Sequence, residues 1–402
     1  MQSIALSWLV YRLTNSPFLL GLVSFLGQVP NFFFAPFAGV LADRWNRRRI
    51  LIVTQTLAMI QAFVLAVLVL THTIAVWQII SLALTLGLIN SVDTPTRQSF
   101  MVNMIEDGAD LPNAIALNSS MVNSARLVGP SIAGLLIAAV GEGACFLING
   151  LSYLGVIAAI AAMRIPRQQS SRNHGSVLAG LKEGISYAFT TPPIRTILIM
   201  LAFISFVGIN YASLMPIFAR DILHGNSRTL GFLMGATGVG ALSSAVYMAS
   251  RKNVIGLGKV LASASGILGA ALICVSFSHL FWLSLIFMFF VGLGMMLQVA
   301  TSNTLVQTIV DDDKRGRVVS LYVVAFVGMV PWGNLTAGTV ASAIGAPHTL
   351  LLNGSMCIIA SLIFFMILPR WRKQVRPIYI EKGILERRDL PVTVETKLGL
   401  PD

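Results

Sequence analysis

The sequence predicts an all-α integral membrane fold of two six-helix halves, with the first helix cut short. Three observations predict it. Of 402 residues, 55% are hydrophobic and only 11% are charged, whereas soluble domains carry about 25% charged residues. Mean hydropathy is +0.79. Long apolar runs recur along the whole chain, and the basic residues gather on alternate connections between them.

Taken in order, the first apolar run, Ile4 to Leu13, is too short for the roughly 20 residues that a crossing takes. It reads as the end of a truncated helix. Met1 to Val10 has neither a basic region nor an A-x-A exit, so no cleavable leader is expected. Full-length runs follow at about 18–42, 50–71, 75–96, 116–139, 144–163, 194–218, 229–249, 257–277, 281–304, 318–343 and 348–368. Each is too apolar all round to be a surface helix of a soluble fold. No ten-residue alternating pattern recurs, so helices rather than a barrel satisfy the backbone. The three cysteines, Cys145, Cys274 and Cys357, lie inside apolar runs and read as small buried residues.

Net charge is +12, and its placement matters more than its size. Arg44, Arg47, Arg48, Arg49, Arg97, Arg164, Arg251, Lys259, Lys314, Arg315, Arg317 and the tail from Arg370 fall on one side. Only Arg12, Arg220 and Arg228 fall on the other. This asymmetry puts the basic loops and the C-terminus in the cytoplasm. It makes the positive charge a topology signal and implies no nucleic acid partner.

The runs divide around the polar, proline-bearing stretch Arg164 to Pro193. The expected organisation is a half at 1–163, a linker at 164–193, a half at 194–368 and a cytoplasmic tail at 369–402. The halves resemble each other. Leu20-Gly21-Leu22 matches Leu230-Gly231-Phe232. Ile105-Glu106-Asp107 with Gly129 and Gly134 matches Val310-Asp311-Asp312 with Gly333 and Gly338. Parallel halves with sites between them at mid-membrane form a transporter architecture.

Gly39-Val-Leu-Ala-Asp43-Arg44-Trp-Asn-Arg47-Arg48-Arg49-Ile50, in the loop after the second run, resembles the major facilitator signature G-x-L-a-D-R-x-G-R-[RK]. Asn46 stands where the pattern has its second glycine, and asparagine also tolerates a left-handed backbone. Gly39 permits close helix approach, Asp43 suits a helix N-terminus, and Arg44, Arg47 and Arg48 can pair with carboxylates. Such a cluster would latch one end closed. The bland alternative is that these arginines only set topology.

Asp93, near the basic end of the fourth run, is costly at a membrane boundary unless paired. Arg47, Arg48 and Arg126 are the candidate partners, and latch and coupling roles both stay open. Arg126 lies inside the fifth run, which makes it a candidate functional residue or a buried partner for Asp93. Gly129-Pro130 with Gly134 resembles the fifth-helix motif of the superfamily's antiporters and offers a bending point. Small-residue packing is the alternative, as it is for Gly231 with Gly235. Asp311-Asp-Asp suits the N-terminal dipole of the eleventh helix, or is a solvated loop. Gln2, Asn90, Asn210, Tyr211, Gln298 and Asn303 are candidate polar groups of a substrate cavity. With Met295, Met296 and Phe206 nearby, they suit a partly hydrophobic solute.

No phosphate-binding G-x-x-x-x-G-K-[ST], H-E-x-x-H or Ser-His set is present. No enzyme chemistry, metal or cofactor is therefore expected.

Gln2-Ser-Ile-Ala-Leu-Ser-Trp8-Leu-Val-Tyr11-Arg12-Leu-Thr14-Asn-Ser16-Pro17 is similar to the opening of the enterobactin-exporter-like branch of the major facilitator superfamily. With the Gly39 signature, Asp93-Thr-Pro-Thr-Arg97-Gln98 and Arg315-Gly-Arg317, the resemblance covers nearly the whole chain. It implies the major facilitator fold in a bacterial inner membrane. It also implies alternating access by a monomer surrounded by lipid, and proton-driven efflux of drugs, siderophores or related metabolites. An importer on the same fold and an inactive, truncated relative are the alternatives.

Overall fold

The computed structural model describes residues 1–34, 45–104, 111–163, 177–251, 253–311 and 313–385. Regular structure among them is helical throughout. The helices are α1 (Gln2–Thr14), α2 (Pro17–Phe34), α3 (Arg47–Leu70), α4 (Val76–Asn103) and α5 (Leu111–Ala162). They continue as α6 (Val177–Thr190), α7 (Pro192–Ile222), α8 (Ser227–Ser250) and α9 (Leu257–Ser276). The last three are α10 (Phe281–Ile309), α11 (Arg315–Ile344) and α12 (Ala346–Glu381).

Ten helices among the described residues are long and apolar enough to cross a membrane. One of them lies in α5, which as a whole spans two of the expected crossings. Gly141 breaks it with φ 82° and ψ 171°, a backbone state that glycine adopts without a Cβ clash. The second arm then runs antiparallel to α3. Arg48 donates to the Ile160 carbonyl at 3.0 Å, Phe63 lies over Gly150, and Leu70 lies over Gly143. Along α3, Val53, Leu57, Ile60, Val64 and Val67 stand exposed at helical spacing, forming an apolar stripe that suits lipid.

Local sequence sets the helix starts. Ser16 accepts the Leu19 amide at 3.3 Å, with Pro17 in the first turn. Asn46 accepts the Arg49 amide at 3.2 Å, and Asn226 with Thr229 closes a capping box on α8. Each satisfies amides that a helix start leaves open.

Several expectations need correction. The linker 164–193 contains helix α6, which the polar composition did not suggest. The helix read as ending near 368 continues through Pro369 and Pro377 to Glu381. Trp371, Val375 and Tyr379 recur every four residues and are buried, and Trp371 Nε1 donates to the Pro193 carbonyl at 3.2 Å. Asp311 does not cap α11; it accepts from the Tyr187 hydroxyl of α6 at 2.9 Å. The backbone of α5 leaves helical geometry at Gly141, whereas Pro130 lies inside the helix. Cys145 and Cys357 are buried as expected, and Cys274 is half-buried.

Candidate functional site

Helices α1–α5 meet α7–α12 along two seams built from glycine. In the first, Gly21 of α2 faces Gly338 of α11, and a Cβ on Gly338 would lie 2.8 Å from the Gly21 Cα. In the second, Gly231 of α8 faces Gly134 of α5, and a Cβ on Gly231 would lie 2.8 Å from the Gly134 Cα. No side chain fits at either contact, so the backbones touch. The internal repeat matches Gly21 with Gly231 and Gly134 with Gly338, so each seam joins one half's copy of the first glycine to the other half's copy of the second. Phe25 and Trp332 add an edge-on ring contact at 5.1 Å, and Ser131 donates to the Gly231 carbonyl at 3.3 Å.

Both glycine contacts lie toward the end of the bundle with short turns, opposite the basic loops. There a polar clasp joins α1 to α7. The Tyr11 hydroxyl donates to Asp221, and Arg220 donates to the Asn15 side chain at 2.8 Å. The Arg220 guanidinium also stands 5.8 Å from the centre of the Tyr11 ring, within cation–π range. Beside them Arg12 pairs with Glu142 at 2.9 Å. Deeper, Ser213 donates to Ser24 at 3.3 Å. The bonds from Tyr11, Arg220, Ser213 and Ser131 thus tie the two helix sets together within the turn-end half.

Beside the α5–α8 seam lies a small pocket of about 150 Å³. Pro130 of α5 supplies one wall, and Tyr211, Met234, Met295 and Met296 supply much of the other. The Tyr211 hydroxyl points at the Met295 sulfur, 3.8 Å away. No charged side chain is among the described lining residues. Polarizable thioethers and a lone phenol give a surface that adapts to apolar shapes.

Of the expected cavity residues, Tyr211 lines this pocket and others are engaged in packing. Gln2 is buried among α1, α3 and α5, donating to Gln61 at 2.8 Å and accepting from Asn149 at 2.8 Å. Asn210 donates to the Phe206 and Gly333 carbonyls at 3.0 and 3.1 Å, and accepts from Asn353 at 2.9 Å. It thereby satisfies backbone freed by the break in α7 after Val207. Gln298 is buried and accepts from Ser265 at 2.9 Å, and its amide nitrogen has no partner. Asn303 accepts from Gln307 at 2.9 Å. Asn90 is half-buried on α4.

Asp93 is 1% exposed. It accepts from Thr54 at 2.8 Å and Gln55 at 2.7 Å, and pairs with Arg97 one turn along α4. Arg97 is not among the partners read from sequence, and of those Arg48 is seen engaged elsewhere. Arg48 instead donates to the Ile160 and Ala161 carbonyls at the end of α5, a favourable place for a cation. Gly39, Asp43, Arg44 and the Arg126 side chain lie outside the described residues. A Cβ at Gly129 would meet no heavy atom within 4 Å, so Gly134 makes the close contact of that motif.

Sequence reasoning missed the clasp. Its one signal was that Arg220 and Arg12 belong to the sparse cations on the side that should lack them.

The helix order, the paired seams and the pocket beside one of them fit a polytopic transporter. Comparison with known families places it further: the profile of the transmembrane secretion effector family matches residues 1–386. The chain belongs to this family of the major facilitator superfamily. It is 26% identical to the staphyloferrin A transporter of Staphylococcus aureus, over 90% of this chain and 91% of that one. It is 26% identical to the multidrug efflux pump Tap of Mycolicibacterium fortuitum, over 92% of each. A bacterial homologue of the human lysosomal transporter Spinster, solved inward-facing and unoccupied, superposes with a TM-score of 0.69 at 15% identity. That match covers 93% of this chain and 94% of the other. The family and these relatives are transporters, and this chain is a multi-pass membrane protein of the same kind.

Proposed function

We propose that the chain exports small, partly hydrophobic molecules from the cytoplasm by proton-coupled alternating access. One observation carries the reading: a methionine-lined pocket with no charged side chain among its described lining residues lies between the two helix sets, beside the α5–α8 glycine seam. Residues 1–163 and 194–368 would rock as two halves, joined by the linker 164–193, with the tail 369–402 in the cytoplasm. The kinship to a siderophore transporter and a multidrug pump supports a solute of this type.

In the closed-turn arrangement the pocket would load from the basic, cytoplasmic side. Opening of the Tyr11–Asp221 clasp and the glycine seams would release the solute on the far side. The signature loop from Gly39 to Arg49 would close the cytoplasmic side in that second state. Asp93 is the candidate proton carrier, because a buried acid within a membrane-spanning helix marks a coupling or pairing role by default. The unit would act as a monomer, with the proton gradient as its energy source and no cofactor.

The test is proton release from energised inverted vesicles on adding each of a panel of hydrophobic drugs and catecholate siderophores. Release that saturates with one solute class, and is lost in Asp93→Asn, supports export. Solute-driven proton movement in the opposite sense would make the chain an importer. Silence across the panel with intact, folded protein would overturn the reading.

A further inference from the structure

A second cavity lies away from the seams, bordered at its mouth by the end of the signature loop. At the basic end, α3 and α4 splay to leave a groove of about 720 Å³. Its walls are Ile50, Val53 and Leu57 from α3, with Leu88, Ile89 and Val92 from α4. The groove runs into the exposed apolar stripe that continues along α3 through Ile60, Val64 and Val67. It therefore opens sideways toward the membrane interior.

Polar chemistry is confined to the mouth. Thr54, though it borders the groove, directs its hydroxyl to Asp93. The Asn46 side chain caps the Arg49 amide. That leaves the exposed guanidinium of Arg49, which forms no ion pair with any described residue. Its neighbour Arg48 is bound to carbonyls at the end of α5, so adjacent arginines have different environments. Trp45, 66% exposed, stands beside Arg49 at the same mouth. An indole at that depth suits the boundary between headgroups and acyl chains.

We propose that this groove is a binding site for an anionic phospholipid of the leaflet at the basic end. One acyl chain lies between α3 and α4, and the phosphate lies on Arg49. The apolar walls match a chain, and a guanidinium matches a phosphodiester in two-pronged geometry. A cation with no ion pair among the described residues selects net negative headgroups over zwitterionic ones. The position has a consequence for transport, because the lipid would lie over Thr54, whose hydroxyl holds Asp93.

The full chain is reconstituted in phosphatidylcholine nanodiscs carrying a trace of phosphatidylglycerol with a photoactivatable acyl chain. Cross-linked peptides are then mapped. Labelling is expected to concentrate at 50–57 and 88–92, and photoactivatable phosphatidylcholine should not reproduce it. Arg49→Gln should lower that labelling about fivefold, the effect of removing one basic residue at an anionic surface. Arg49→Lys should retain most of it, and Arg372→Gln, an exposed arginine at the same end, should leave it unchanged. Leu57→Trp, which fills the groove, should lower it independently of charge. Equal labelling by both lipids, or no response to Arg49→Gln in protein with unchanged thermal unfolding, would overturn the site. So would displacement of the label by an uncharged hydrophobic drug without headgroup preference, which would make the groove a solute entrance.

Discussion

At the turn end the two helix sets meet backbone to backbone, Gly21 on Gly338 and Gly134 on Gly231, and Tyr11, Asp221, Asn15 and Arg220 tie them together. At the basic end the bonds made by several cations stay within one set. Arg97 holds Asp93, Arg48 holds the end of α5, and Lys382 donates to the Val310 carbonyl at 2.6 Å. The first set of contacts can break without unfolding either helix set. The second braces each set so that it can move as a unit. Alternating access needs this division, since packed interfaces switch between discrete arrangements instead of deforming smoothly.

The comparison can be broken most strongly at the seam. Gly134→Val would drive a side chain into the backbone of α8 and should abolish transport. Overpacking of this kind costs about 1–3 kcal/mol. Gly129→Ala, five residues earlier in open space, should transport normally and melt no lower. Equal damage from both would mean that the seam is not special.

Next come the bracing bonds. Asp93→Ala leaves the Thr54 hydroxyl and the Gln55 amide without their acceptor, a loss of about 1–3 kcal/mol. A lower unfolding temperature in detergent should report it, while turn-end accessibility to thiol reagents stays unchanged. Asp221→Asn should do the reverse. Exposed and charged, Asp221 adds little to stability. Its loss should nonetheless raise labelling of a cysteine placed at the turn end several-fold.

The smallest effect concerns α6. Burial first, and then the bond to Asp311, raise the Tyr187 phenol above its ordinary value near 10. Its contribution is fully present below pH 10 and is lost as pH rises through the higher folded-state value. The protection of α6 amides relative to their intrinsic exchange rate should therefore fall only in strong alkali, and Tyr187→Phe should remove that alkaline step.

Much of this architecture was legible because membrane crossings are local: a 20-residue apolar run is visible without its neighbours. The seam glycines were visible too, as repeat-related positions, although their pairing across the halves needed the fold. Gln2 shows the limit. A polar residue in an apolar run suits a cavity or a buried network equally well, and its partners lie 59 and 147 residues away. The extension of α12 was similarly hidden, because it depends on Trp371 reaching Pro193, 178 residues distant. The Asp93–Arg97 pair was different. Its spacing of four on one helix was readable from the sequence, yet more distant arginines were the expected partners.

The most direct test joins the turn end covalently. Asn15→Cys and Arg220→Cys, in a background with Cys145, Cys274 and Cys357 replaced, are bridged by a short bis-thiol reagent in proteoliposomes. Transport should stop on cross-linking and return on reduction, while either single cysteine treated alone stays active. Undiminished transport by fully cross-linked protein would contradict a pathway that must open at this end.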